Sequence, residues 1–206
     1  DVFKTSKGTN MFNMFRGATG FNQDISTWDT SNITTMENMF RNATSFDTSI
    51  DTWNTSNVTN MANMFNGARY NQPLNSWDVS KVTNMTGIFY SNNPFNQPLN
   101  NWDTSNVTDM SRMFTGAESF NQPLDRWDTS NVTDMNYMFN VANAFNQDIS
   151  TWKFAPSVAL KQILRNTGMS IYNTSKLFVS MYNQRDNIGQ FPSSTYLIGF
   201  DDLQLA

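Results

Sequence analysis

Residues 99–123 read LNNWDTSNVTDMSRMFTGAESFNQP, and this string is one turn of a repeat that fills most of the chain. Trp28, Trp53, Trp77, Trp102, Trp127 and Trp152 stand 25, 24, 25, 25 and 25 residues apart. A fixed period of about 20 to 50 residues marks a repeat array, whose units cannot bury their own apolar faces alone and must stack.

Apolar slots recur at fixed offsets from each tryptophan. After Trp102 they are Val107, Met110, Met113, Phe114, Ala117, Phe120 and Leu124; after Trp127 they are Val132, Met135, Met138, Phe139, Ala142, Phe145 and Ile149. Met110, Met113, Phe114 and Ala117 have the i, i+3, i+4, i+7 spacing of one helical face. Thr108 or Ser105 can cap its start. Gly116, and in other copies Gly17, Asn42 and Gly67, suits the left-handed residue that ends a helix. Leu124, Trp127 and Thr129 read L-x-x-W-x-T, the spacing of a leucine-rich-repeat strand. Trp127 in, Asp128 out and Thr129 in is the alternation of a strand. Phe120-Asn121-Gln122-Pro123 supplies the turn between them. The spacing thus predicts an α/β solenoid, a right-handed, leucine-rich-repeat-like coil of short parallel strands and short helices. It has about seven coils and a helical C-terminal cap, with all six tryptophans buried or nearly so.

The string WDTSNVTDMSRMFTGAESFNQPL closely resembles the BspA-like leucine-rich surface-protein repeats of the mycoplasma-lipoprotein type, over about residues 3–167. Tryptophan, SNVT, M-x-x-MF, GA and FNQPL recur together and in order. The resemblance implies an extracellular or cell-surface protein, often a modular adhesin, and it carries no catalytic residues with it.

The chain has 206 residues, no cysteine and no histidine, which excludes disulfides, Cys/His zinc sites and histidine-based catalytic dyads. No cofactor is expected. Neither a membrane-spanning run nor a signal peptide is visible. The initial Asp1 points to a piece of a longer protein. The net charge of −4 divides unevenly: −6 over residues 1–151 and +2 over 152–206. No basic stripe marks a nucleic-acid site. Thirty asparagines make the surface neutral and polar, a composition often tied to disorder but overridden here by the aromatic period.

Residues 1–151 are expected to form the repeat array, and residues 152–206 a degenerate last coil and cap. Phe3 takes the tryptophan slot of the first copy. The third copy is one residue short before Tyr70, in a turn where length is tolerated. In the seventh, Ser157 to Gly168 is read as a helix carrying Leu160, Ile163 and Leu164. A second helix follows in NTSKLFVSMYNQ, with Leu177, Phe178, Met181 and Tyr182 on one face and Asn173 or Thr174 as cap. Gly189 and Pro192 end it, and Thr195 to Phe200 reads as a strand.

Two outward rows flank the tryptophans and form the candidate ligand face. One is Thr27, Thr52, Ser76, Asn101, Arg126 and Thr151; the other is Asp29, Asn54, Asp78, Asp103, Asp128 and Lys153. The competing reading is that these residues serve solubility and turn bonding. A second candidate surface is the cap, with Phe154, Tyr172, Tyr182, Phe191 and Tyr196. The aspartate row lacks the patterns of calcium β-rolls and EF-hands, and Asp201 with Asp202 has no cleft to act in as a hydrolase pair. Asn57, Asn106 and Asn131 match the glycosylation pattern but read as caps. The leading expectation is a non-enzymatic recognition or adhesion module of a surface or fibre protein, binding a glycan or protein on another cell. It needs no metal, nucleic acid or membrane insertion. The oligomeric state is open, a fibre being one arrangement. The alternatives are a structural spacer or oligomerising fibre segment and, more remotely, an ice-binding solenoid built on Thr34, Thr59, Thr83, Thr108 and Thr133. Against the last stand the short third copy and the helical placement expected for those threonines.

Overall fold

The computed structural model describes residues 8–188. The Met-rich run of coil five shows how a coil is built. The N–H groups of Met113, Thr115 and Ala117 donate three residues back, to the carbonyls of Met110, Arg112 and Phe114, at 3.2, 3.1 and 3.0 Å. Those of Met110, Arg112, Phe114 and Gly116 donate to the next coil, to Asp134, Asn136, Met138 and Asn140, at 2.9, 2.9, 2.8 and 2.8 Å. Amides thus alternate between a local β-turn and the neighbouring coil. An α-helix would instead direct each N–H four residues back along its own chain.

This corrects the expected fold. The run M-x-x-M-F-x-G-A is three linked turns and contains no helix, and the described residues form no sheet. Each coil pairs with the next through a single parallel bridge, Asn10 to Thr35, Asn60, Asn84, Asp109, Asp134 and Ala159 in succession. The L-x-x-W segment is also a turn, because each tryptophan N–H donates to the Leu or Ile carbonyl three residues back (Trp127 to Leu124, 3.2 Å). The in-and-out alternation of Trp, Asp and Thr imitates a strand without forming one. A leucine-rich-repeat solenoid of strands and helices is therefore not what this sequence builds.

The cause lies in two positive-φ positions that recur in every coil, with Ser157 an additional one in coil seven. Asn13, Asn38, Asn63, Gly87, Arg112, Tyr137 and Gln162 form one row; Gly17, Asn42, Gly67, Ser91, Gly116, Val141 and Asn166 form the other. Left-handed residues cannot sit inside a right-handed helix, whereas a type II turn demands one at its third position. Asn and Gly accept that conformation most readily. In coils one and three to six an Asn or Asp before the first Met starts the run, its side chain accepting from the N–H two residues on (Ser111 to Asp109, 2.8 Å; Asn136 to Asp134, 2.8 Å).

The interior is filled by ladders. Phe40, Phe65, Phe89, Phe114 and Phe139 stack in succession with centroids 5.5 to 5.9 Å apart. Each also stacks on an aromatic of its own coil, as Phe114 does on Phe120 at 4.0 Å. Trp53, Trp77, Trp102, Trp127 and Trp152 are buried, and Trp28, near the first coil, is half-buried. Each buried indole N–H donates to a carbonyl of the preceding coil, for example Trp152 to Leu124 at 2.9 Å, so the ring goes inside without an orphaned donor. Thr30, Thr55, Thr104 and Thr129 point inward and bond forward to the carbonyls of Asn54, Asp78, Asp128 and Lys153.

The FNQ motif is a second ladder. The side-chain oxygens of Asn22, Asp47, Asn71, Asn96, Asn121 and Asn146 each accept from a backbone N–H of the next coil, at 2.8 to 2.9 Å. Its last step reaches Ser170. The short third coil has a local remedy: Asn92 occupies an alanine slot of coil four, fully buried, and its amide donates to the Tyr70 carbonyl at 3.1 Å.

The turn pattern continues through the seventh coil, so the helix expected over 157–168 is absent. Ala159 bridges to Asp134, and Gln162 and Asn166 hold the two left-handed positions. Helix α1, Ile171–Asn183, then covers the open end. Ser170, not Asn173 or Thr174, is its N-cap, accepting from the Asn173 N–H at 3.2 Å. Leu177 and Met181 are buried and Phe178 packs on the core, whereas Tyr182 is exposed. Gln184 takes up two backbone groups of the last coil, accepting from the Phe154 N–H at 3.0 Å and donating to the Trp152 carbonyl at 2.9 Å. Lys176 pairs with Asp148 at 2.8 Å. Helix α2 is the short Arg185–Ile188. Gly189, Pro192 and the strand expected over Thr195 to Phe200 lie outside the described residues.

Two tests follow from this packing. Phe114→Ala removes a fully buried ring from two ladders and is expected to cost about 3 to 5 kcal/mol. Asp103→Ala removes an exposed turn contact to the Ser105 N–H and should cost under about 1 kcal/mol, both read by chemical denaturation. The second test concerns α1. Hydrogen bonds from Lys176 and then Ser150 hold the Asp148 carboxyl at about 2, below its ordinary 3.8. Because the folded-state value is the lower one, the contribution is complete above the ordinary carboxylate value and is lost as the pH falls through about 2. Helix protection in hydrogen exchange should therefore fall between those limits, and Asp148→Asn should lack that step.

Candidate functional site

The turns place three rows of side chains along one face of the stack, exposed or half-buried except at Asn38, Ala62 and Thr115. The first runs Phe12, Glu37, Ala62, Thr86, Ser111, Asn136, Lys161, and the second is the left-handed row from Asn13 to Gln162. The third runs Arg16, Arg41, Asn66, Tyr90, Thr115, Asn140, Arg165. Slots around them are nearly constant from coil to coil, but these vary. They gather the cations Arg16, Arg41, Arg112, Lys161 and Arg165 against one carboxylate, Glu37. One of the rows beside the tryptophans carries Asp29, Asp78, Asp103 and Asp128 against Lys153, so the 25-residue register sorts the charge onto different faces.

A groove of about 560 Å³ crosses this face from coil two to coil six. It opens at coil four, where Gly87 provides no side chain in the left-handed row. A Cβ there would lie 2.7 Å from Asn63 Oδ1. Arg41 stands at one end, and Arg112 with Tyr137 toward the other, with Tyr90 between them. Asn63, Asn66, Thr86, Thr115 and Asn140 supply amides and hydroxyls. The Thr115 hydroxyl donates to the Tyr137 carbonyl, joining coils five and six. The Arg112 guanidinium lies 5.6 Å from the Tyr137 ring centroid, and the Lys161 ammonium also lies 5.6 Å from it.

Two polar atoms of the lining are buried without a hydrogen-bond partner in the chain, Arg41 Nε and Asn140 Oδ1. Arg41 reaches only Asn38 Oδ1, through Nη1 at 3.4 Å. The ion pairs among the described residues are Lys176–Asp148 and Arg185–Asp186, so no carboxylate neutralises Arg41 or Arg112. Asn13 Oδ1, Tyr70 Oη and Asn92 Oδ1, outside the groove, are likewise buried without a partner in the chain, so the groove is set apart by its unneutralised guanidinium groups and not by these atoms.

The residues expected to form the ligand face are all exposed. Thr27, Thr52, Ser76, Asn101 and Arg126 line one side of the tryptophans, and Asp29, Asn54, Asp78, Asp103 and Asp128 the other. The structure brings them together as rows but employs much of their polarity in the scaffold. Asp29, Asn54, Asp78, Asp103 and Asp128 each accept from a serine N–H two residues on, at 3.0 to 3.1 Å. Hydrogen bonds from Ser31, Ser80 and Ser130 lower the carboxyls of Asp29, Asp78 and Asp128. The hydroxyls of Thr52 and Ser76 bond to carbonyls of the preceding coil, Ser26 and Asp51. Asn57, Asn106 and Asn131 likewise tie their amides to Ser31, Ser80 and Ser105 of the coil before.

Of the cap aromatics, Phe154 is buried, Tyr172 and Tyr182 are exposed, and Phe191 and Tyr196 lie outside the described residues. Thr34, Thr59, Thr83, Thr108 and Thr133 form one exposed ladder rather than a helical row. Each hydroxyl donates to the preceding threonine-row carbonyl, and the Thr83 N–H to the Thr59 carbonyl (2.9 Å) carries the ladder past the short coil. Among the described residues no group of three acidic side chains converges in a way that could hold a metal ion, and no helix is long and apolar enough to cross a membrane.

The turn-face groove escaped the sequence reading because its residues depart from consensus. The signal was there: Gly87, Arg112 and Tyr137 occupy one register slot, three residues after the bridge position. Because that slot is left-handed, Gly87→Asn restores the residue of coils one to three and should change stability by less than about 0.5 kcal/mol. Gly87→Val places a β-branched residue at φ +56 and should cost about 1 to 3 kcal/mol in the same denaturation assay.

In comparisons with known proteins, the family described as "Mycoplasma protein of unknown function, DUF285" matches residues 1–73 and 68–177. No curated protein and no solved structure matches.

Proposed function

The chain belongs to this family of mycoplasma-type repeats, and from that premise we propose that it is a non-enzymatic recognition module of a surface or fibre protein. It takes a glycan or protein of another cell into the turn-face groove. The observation that carries this reading is that Arg41 and Arg112 line one groove, together with amides and hydroxyls, and neither has a carboxylate within ion-pair distance among the described residues. A rigid surface with donors and acceptors placed in advance loses little order on binding. The lining holds two guanidinium groups, two phenols, amides and hydroxyls. It offers no carboxylate pair for general acid and base chemistry, which supports capture without turnover. The BspA-like resemblance of the repeat string supports a place on the cell surface.

The continuous threonine ladder favours a second reading, an ice-binding face. Both objections raised from the sequence fall away, since the threonines are not helical and the short coil does not break their register. Labelled protein is therefore tested on whole cells and an immobilised glycan panel, with thermal hysteresis measured alongside. The wild type should bind, and Gly87→Asn, which fills the groove, should bind at least about tenfold more weakly. Equal binding by the variant would remove the groove from the account. Absence of binding with thermal hysteresis would favour the threonine face, and absence of both a structural spacer.

A further inference from the structure

We propose that the groove is a subsite for an extended oligosaccharide bearing carboxylates, held between Arg41 and Arg112. This rests on the recognition reading above and names its ligand class.

Arg41 belongs to coil two and Arg112 to coil five, and the Phe40, Phe65, Phe89 and Phe114 rings mark the three intervening steps at 5.6 to 5.9 Å each. One small anion cannot touch both guanidinium groups, so the ligand that satisfies them is a chain. Between them the groove presents Asn63 and Asn66 on coil three and Thr86 and Tyr90 on coil four. Amides and hydroxyls spaced by the coil repeat match ring hydroxyls, which donate and accept. The half-buried Tyr90 ring offers a flat apolar surface for a sugar face, whereas Tyr137 already lies beneath Arg112 and Lys161.

The charge balance selects the acid. A guanidinium fork fits a planar carboxylate with two parallel hydrogen bonds. Two such forks three coils apart suit a chain with sparse charge. The remainder of the surface, in a protein of net charge −4 with aspartates along the tryptophan rows, disfavours a densely sulfated chain. A proteinaceous partner is disfavoured by the polar lining of the groove, in which Tyr90 and Tyr137 are the aromatic residues and no aliphatic side chain takes part.

Titration calorimetry tests this on the whole chain with uronate and sialate oligosaccharides, their carboxyl-reduced counterparts and a sulfated oligosaccharide. At least one carboxylated chain should bind. Its carboxyl-reduced form should bind at least about tenfold more weakly, and Arg41→Gln and Arg112→Gln should each lose about fivefold or more, with unchanged thermal unfolding. Affinity should fall at high salt. Equal binding of carboxylated and reduced chains would overturn the acid assignment and leave the recognition reading standing. So would wild-type binding to cells or neutral glycans with none to any carboxylated chain. Preference for the sulfated chain would replace carboxylate by sulfate, and absence of binding to every saccharide and every cell would end both readings.

Discussion

Every second amide of the Met-rich run points at the neighbouring coil, and the remainder of the molecule depends on that division. The amides in between close turns at home, so each coil keeps its own shape while offering a regular edge to the next. A unit of this kind cannot satisfy its backbone alone, because half its donors in this run need a neighbour. Stacking then sets all other spacings. The phenylalanine rings fall 5.5 to 5.9 Å apart, and indole N–H groups find carbonyls one coil back. The Asn side chains of FNQ reach the next backbone N–H. The terminal coil is left with groups to satisfy, and Ser170, Asn173, Gln184 and Lys176 of the α1 region supply them.

The period, the identity of the core and α1 were legible in the sequence because they depend on burial. Trp127, Val132, Met138 and Phe139 had to be inside whatever the backbone did, and so did Leu177 and Met181. The backbone itself was misread for a physical reason. Linked turns return a side chain to the same side every three or four residues, so Met110, Met113, Phe114 and Ala117 mimic a helical face. Asn or Gly at the slot of Asn63 and Gly87, and again at Gly67 and Gly116, was the discriminating signal. One such residue ends a helix, but two, four residues apart in each copy, forbid it. In the same way Trp127, Asp128 and Thr129 alternate like a strand while Trp127 closes a turn onto Leu124.

The candidate site was legible only once register was known. The expected ligand rows do face solvent, yet their aspartates and hydroxyls hold turns and neighbouring coils together. The proposed groove draws instead on slots that differ between copies. Arg41, Tyr90 and Arg112 are unremarkable in a linear reading, and their convergence needs coils two to five stacked in register. In such an array constancy serves the scaffold, and individuality is confined to side chains that no neighbouring coil requires.

The central claim is the alternate bonding of amides, and scalar coupling across hydrogen bonds observes it directly. The Phe114 N–H should show coupling to the Met138 carbonyl carbon of the next coil, and the Met113 N–H to that of Met110 in its own turn. Coupling of Phe114 to Met110, four residues back, would mean that the run is a helix and would contradict this account.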